Sequence, residues 1–266
     1  MEDKILFYKN RTLDERFSVT AAFLRQNWKV LLKNILYIAI PLAFFEAFLE
    51  SNMISFMLKS PILYIILKGG VSILLNLFLI SMTGAILSNY LCTEFGQKVG
   101  WSDLKTDFFS IMGKIFAQQL VILCVVIIIA LACFFLFENF GIVLLGLLII
   151  IFYPLLSLVY YPIIFEDESA TDGLQMGFQL GLRNYIQVFV TAFIAFILML
   201  TIFLIPTIIG LLKIQGLNIL SHFLSGIATV IVYPVSTIFI AFQYTALIEK
   251  EENISLQDEV EDFNQM

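Results

Sequence analysis

The sequence predicts an all-α, polytopic membrane protein, and three observations carry that prediction. Six apolar runs of bilayer-spanning length lie near residues 30–50, 69–92, 115–137, 141–165, 186–212 and 223–248. Hydrophobic residues fill 60% of the 266 positions and charged ones only 14%, with a mean hydropathy of +0.95. Soluble domains hold about 45–50% apolar and about 25% charged residues. Few of the charges interrupt the runs. A hydrocarbon core needs about 20 apolar residues per crossing helix. Inside it every backbone N–H and C=O must bond within its own segment, so the runs become helices.

Ahead of the first run, Thr12 is placed to cap a helix. Leu13, Phe17, Leu24 and Trp28 then share one helical face, with Asp14, Glu15, Arg16 and Arg25 around the rest. That pattern predicts an amphipathic helix lying in the interface plane. The first span follows with Pro41 and Glu46 inside it, then a link carrying Lys59 and Lys68, then a second span holding Asn76. A second surface helix is expected where Ser102 can cap and Leu104, Phe108, Ile111 and Ile115 recur at helical spacing. Gln118 and Gln119 open the third span; Tyr153-Pro154 and Pro162 lie in the fourth. Ser169 caps a third surface helix, in which Leu174 and Phe178 share a face and Gly173, Gly177 and Gly181 recur at every fourth position.

The fifth span, with Pro206, is entered through Leu182-Arg183-Asn184-Tyr185, echoing Leu24-Arg25-Gln26-Asn27-Trp28 before the first. The sixth holds Tyr233-Pro234, echoing the fourth, and Gln243. The even spans end at Glu94, Glu166 and Glu249. These echoes predict a threefold repeat of surface helix plus transmembrane hairpin. Residues 1–248 form one membrane domain; residues 249–266, with seven of the 21 acids, form an acidic, flexible cytoplasmic tail. Nothing at the N-terminus has the form of a cleavable signal peptide, so the first span is expected to be retained.

Lysine and arginine set the orientation. Twelve of the 15 flank the side that carries both termini, and Lys59, Lys68 and Lys213 lie on the other. The positive-inside rule then puts both termini in the cytoplasm. Trp28, Tyr37, Tyr64, Trp101, Tyr185 and Tyr244 fall near span ends, where amphipathic rings favour the headgroup layer.

Few residues offer chemistry. Glu46 is an intramembrane carboxylate and hence a candidate site, with Asn76 the nearest polar companion in the next span. The plainer reading, favoured at this level, is that Glu46 reaches the outer headgroups together with Glu50. Lys59 and Lys68 are its candidate partners. Gln118, Gln119 and Gln243 read as hydrogen-bonding glue between helices. The five prolines inside spans can kink helices and shape a cavity. Gly173, Gly177 and Gly181 form a smooth face for close packing, with a hinge as the alternative. His222 stands alone and reads as a solvated edge residue. Cys92, Cys124 and Cys133 read as small buried hydrophobes. No catalytic, cofactor-binding or metal-binding motif is present, and no basic patch calls for nucleic acid.

The stretch from Phe165-Glu166-Asp167-Glu168 to Leu180-Gly181-Leu182-Arg183-Asn184-Tyr185 combines an acid-ended span, a short helix and a Leu-x-Arg/Asn entry. It resembles the six-span membrane domain associated with bacterial glycerophosphodiester phosphodiesterases and related inner-membrane proteins. The resemblance implies a multi-pass protein of the bacterial inner membrane. The metal-binding acids and histidines of the phosphodiesterase domain have no counterpart here, so that activity does not carry over. The expected function is that of a non-enzymatic membrane protein, serving envelope or lipid homeostasis or acting as a scaffold. The alternative is a transporter or permease subunit for a small or lipidic substrate. Partners are the lipid bilayer and a membrane protein or a second copy of the chain.

Overall fold

A computed structural model describes residues 4–93, 101–137, 140–211 and 217–252. Every element among them is helical: α1 (Leu13–Ser51), α2 (Met53–Lys59), α3 (Pro61–Cys92), α4 (Trp101–Phe137), α5 (Gly141–Leu156), α6 (Tyr161–Phe165), α7 (Ala170–Arg183), α8 (Tyr185–Leu211) and α9 (Leu217–Glu252). Four helical stretches are long and apolar enough to cross a bilayer, and up to six if each of two bent helix pairs counts as one span. Glu94, Lys98, Lys213 and the tail beyond Glu252 lie outside the described residues, as do the side chains of Ser102 and Pro206.

The long helices alternate in direction. Lys4 reaches the last turn of α3, Lys114 of α4 meets Asp167, and Arg183 meets Glu251. These contacts gather one set of helix ends beside Lys4 and Glu251, here the near end. Glu50, Lys68 and His222 meet at the far end.

Two helices form the centre. Leu77–Leu87 of α3 are buried on every side, and so is α9 from Ser236 to Glu249. α1 adds a stripe at three- and four-residue spacing: Arg16, Thr20, Phe23, Leu31, Ile35, Ala39, Ala43 and Ala47. The outer faces are oily. Large apolar side chains stand exposed along α4 (Ile128, Phe135), α5 (Ile142, Ile150) and α8 (Ile186, Phe193). A water-soluble monomer rarely exposes a contiguous apolar patch beyond a few hundred Å². These faces are consistent with a multi-pass membrane protein.

The first two expected surface helices are not separate elements. Thr12 does cap α1, in a reciprocal box with Glu15. The helix then runs on to Ser51, bent by 50° between Tyr37 and Ala39. No breaker separates its amphipathic start from the span. The face it turns to the protein core carries Arg16 and Phe23, which are buried, while Phe17 and Trp28 are exposed. Arg16 turns inward because Gln243 and Thr191 accept its hydrogen bonds there. α4 is already helical at Trp101 and continues to Phe137, so Ser102 lies inside the helix instead of capping it. Its Leu104, Phe108, Ile111 and Ile115 face the protein core, not an interface.

The third surface helix, α7, does stand alone, at 106° to α8. Ser169 caps it by accepting from the Asp172 N–H. The expected fourth span is present as one candidate stretch, Gly141–Phe165, whose helix is interrupted between Leu156 and Tyr161. Pro154 and Pro162 cannot donate to the preceding turn. Gln118 of α4 covers the break, donating to the Val159 carbonyl at 2.9 Å. The glycine face of α7 lies against this break: a Cβ on Gly177 would sit 2.6 Å from the Val159 Cα.

Other readings also need correcting. α3 begins at Pro61, which places Lys68 inside a helix and not in a link. Tyr64 and Tyr244 are buried instead of sitting at the headgroup layer. Cys92 and Cys124 are exposed; only Cys133 is buried.

Candidate ligand cavity and the sealed near end

At the far half of the bundle, α1 and α9 cross where both are small. A Cβ on Gly226 would approach the Ala43 Cβ to 3.0 Å, and Phe44 stacks on Phe223 at 3.9 Å. Beside this crossing lies a partly enclosed cavity of about 760 Å³. Its walls come mainly from α1, α3 and α9, and each helix contributes a polar stripe at helical spacing. α1 presents Glu46 and Glu50, α3 presents Lys68, Ser72 and Asn76, and α9 presents His222, Ser225, Thr229 and Tyr233.

The polar groups are organised. The Lys68 ammonium donates to the Glu50 Oε1 at 2.6 Å. The His222 Nδ1 lies 2.9 Å from the other oxygen, Oε2. Glu50 thus ties α3 and α9 to α1 through both of its oxygens. Charge-assisted bonds of this kind are roughly twice as strong as neutral ones. The Ser72 hydroxyl donates to Glu46. Glu46 and Glu50 are therefore engaged with the neighbouring helices.

The structure brings Glu46 and Asn76 onto one cavity wall. The expected Glu46 partner, Lys68, is bonded to Glu50 instead. His222, read as a solvated edge residue, is half-buried against Glu50. The tyrosines of both Tyr-Pro pairs, Tyr153 and Tyr233, line the same cavity, whereas Pro41, Pro154 and Pro234 do not. Sequence reasoning missed the Lys68–Glu50–His222 bridge. The signal was available as polar residues three or four apart on otherwise apolar helices, which sets them on one face. The glycines of α7 belong elsewhere: Gly173 meets Ile163 and Gly181 meets Leu155, on the α5–α6 break. Among the described residues, no three His, Cys, Asp or Glu side chains gather to hold a metal ion.

The near end is filled. Residues 4–12 fold back over the bundle, and Phe7 inserts among Phe23, Tyr90, Phe165 and Phe242. Arg11 stacks over Phe242 at 5.3 Å and donates to the Phe7 carbonyl. Lys4 donates to the Leu91 and Thr93 carbonyls at the end of α3. Burial, with help from Glu166 and Glu252, pushes the Tyr8 hydroxyl up to about 12.

Glu166, just past α6, accepts from the Tyr244 hydroxyl at 2.5 Å. Burial holds its carboxyl above the usual carboxylate range, although the Tyr244 bond pulls the other way and Glu252 and Glu168 add repulsion. An acid whose folded pKa exceeds its unfolded one binds its proton more tightly when folded. Its contribution to stability is therefore complete below the ordinary value of 4.5 and is lost as pH rises through the folded pKa. Glu166→Gln is expected to flatten the fall in detergent-unfolding midpoint just above pH 4.5 and to leave the variant no less stable than the parent at pH 7. A steeper fall in the variant would contradict this assignment.

Compared with protein-family models, curated proteins and solved structures, the chain matches none.

Proposed function

We propose that this chain is a non-enzymatic, six-span protein of a cell membrane, with both termini cytoplasmic, whose far-end cavity binds a small or lipidic solute in the manner of a permease subunit. The observation that carries this reading is one cluster. Glu46, Glu50, Lys68 and His222 line a single cavity in an otherwise oily bundle. Ionisable groups inside apolar spans cost several kcal/mol and as a rule mark a pathway or a binding site. At the sequence level, scarce buried charge weighs against a permease; the cluster removes that objection. A pure scaffold has no use for a polar cavity.

The orientation rests on the distribution of cations. Twelve of the 15 lysines and arginines flank the near side and three the far side. A threefold repeat is supported by the echo between Leu24-Arg25, inside α1, and Leu182-Arg183, just before α8. Of its surface helices, however, α7 is the one that stands as a separate element. The resemblance to phosphodiesterase-associated membrane domains supports an inner-membrane location in a bacterium and brings no catalytic residue with it.

Thiol accessibility tests this proposal. Cys92, Cys124 and Cys133 are first replaced by alanine, and Ser225→Cys and Thr229→Cys are introduced one at a time. A membrane-impermeant methanethiosulfonate is expected to label both from outside the cell. Failure to label either position from either side would remove the cavity. Labelling from the cytoplasmic side alone would invert the orientation.

A further inference from the structure

Glu46 has no ion-pair partner in the cavity among the described residues. Both oxygens of Glu50 are engaged, by Lys68 at 2.6 Å and by His222 at 2.9 Å, so the lysine charge is matched within the protein. Glu46 receives only the neutral hydroxyl of Ser72. Among the described residues no cation lies within ion-pair distance of Glu46.

The polar groups around Glu46 include acceptors as well. Asn76 stands one turn from Ser72 on the same face of α3, and its amide oxygen can accept. The Tyr233 hydroxyl and the Thr229 hydroxyl line the α9 wall; the Thr229 proton is already given to the Ser225 carbonyl, which leaves its oxygen free to accept. A carboxylate without a cationic partner, in a cavity that also offers neutral acceptors, calls for a ligand with one positive charge and several N–H donors. A primary ammonium has three such donors and no acceptor. A quaternary ammonium carries the same charge but has no N–H to give.

Building on the binding role proposed above, we infer that the cavity recognises a primary ammonium group, with Glu46 as its counter-ion and Asn76 as a neutral acceptor. The group belongs either to a free alkylamine or to an aminophospholipid headgroup. A cavity of about 760 Å³ admits either one.

The experiment uses the full chain, with its native cysteines replaced and Ser225→Cys as reporter, reconstituted in phosphatidylcholine vesicles. The rate of thiol labelling is measured with n-butylammonium, with butyltrimethylammonium, with butyrate, and in vesicles in which phosphatidylethanolamine replaces part of the phosphatidylcholine. n-Butylammonium or phosphatidylethanolamine is expected to protect the thiol, with the trimethylated probe at least about tenfold weaker and butyrate without effect. Protection by phosphatidylethanolamine alone identifies the lipid headgroup as the source; protection by the free amine identifies a soluble ligand. Glu46→Gln is expected to weaken protection by roughly tenfold to a hundredfold, the range for losing a charge-assisted hydrogen bond. Glu46→Asp retains protection, and Asn76→Leu lowers it while the carboxylate stays in place. Equal labelling with every probe, protection by butyrate, or undiminished protection in both Glu46→Gln and Asn76→Leu would overturn the ammonium assignment and leave the cavity reading standing. A reporter thiol that never labels would instead remove the cavity reading, and the ammonium assignment with it.

Discussion

Gly177→Ala is expected to destabilise the protein by about 2 kcal/mol, against the ordinary trend for glycine in a helix. Replacing a helical glycine by alanine normally gains about 1 kcal/mol. Here the added Cβ would lie 2.6 Å from the Val159 Cα and 2.9 Å from the Leu158 carbonyl oxygen. Both neighbours are backbone atoms at the α5–α6 break, so no rotamer change relieves the clash. Overpacking of this kind costs about 1–3 kcal/mol, and a clash with main chain falls at or beyond the upper end of that range. Gly177→Leu is expected to abolish the folded state. Gly113→Ala is the control: nothing lies within 4 Å of its Cβ position, so the helical gain of up to about 1 kcal/mol applies undiminished. Unfolding of each variant in mixed micelles measures the difference. A Gly177→Ala protein as stable as Gly113→Ala would mean that α7 does not pack on the break.

Gln243→Leu is the second large effect. Arg16 is buried, at 8% exposure, and its guanidinium donates to the Gln243 oxygen, the Thr191 hydroxyl and the Arg11 carbonyl. Gln243 is fully buried and joins α9 to α1 and α8 through that oxygen. Leucine fills a similar volume but leaves a buried charge short of an acceptor. Hydrogen bonds to charged groups are worth about 1.5–3 kcal/mol, and the stranded charge adds its desolvation cost. A loss of about 3 kcal/mol is expected. The double variant Arg16→Met with Gln243→Leu removes both partners and is expected to return to within about 1 kcal/mol of the parent, because the charge and its requirement disappear together. Additive losses in the double variant would show that the two side chains act independently.

Much of the fold could be read from the chain because the bilayer leaves little choice. Runs of apolar residues at 115–137 and 186–212 become helices wherever their side chains end up, since the backbone must satisfy itself internally. Thr12 and Ser169 cap helices through contacts made within three residues, so their roles are local and visible in the sequence. Glu46 was conspicuous for the same reason: a carboxylate in an apolar run is costly wherever the run packs.

What could not be read was the pairing of one helix with another. Apolar side chains are nearly interchangeable on the outside and inside of a bundle in lipid, so composition alone does not say which face of α1 turns inward. Arg16 and Phe23 point to the core because α9 supplies Gln243 and Phe242 at the matching height, more than 200 residues away in the chain. Lys68 and His222 become site residues only because α3 and α9 bring them to opposite oxygens of Glu50. The helical character of the apolar runs follows from hydropathy, a property of each segment alone. The cavity, its ion pairs and the sealed near end follow from long-range contacts, whose geometry no single segment contains.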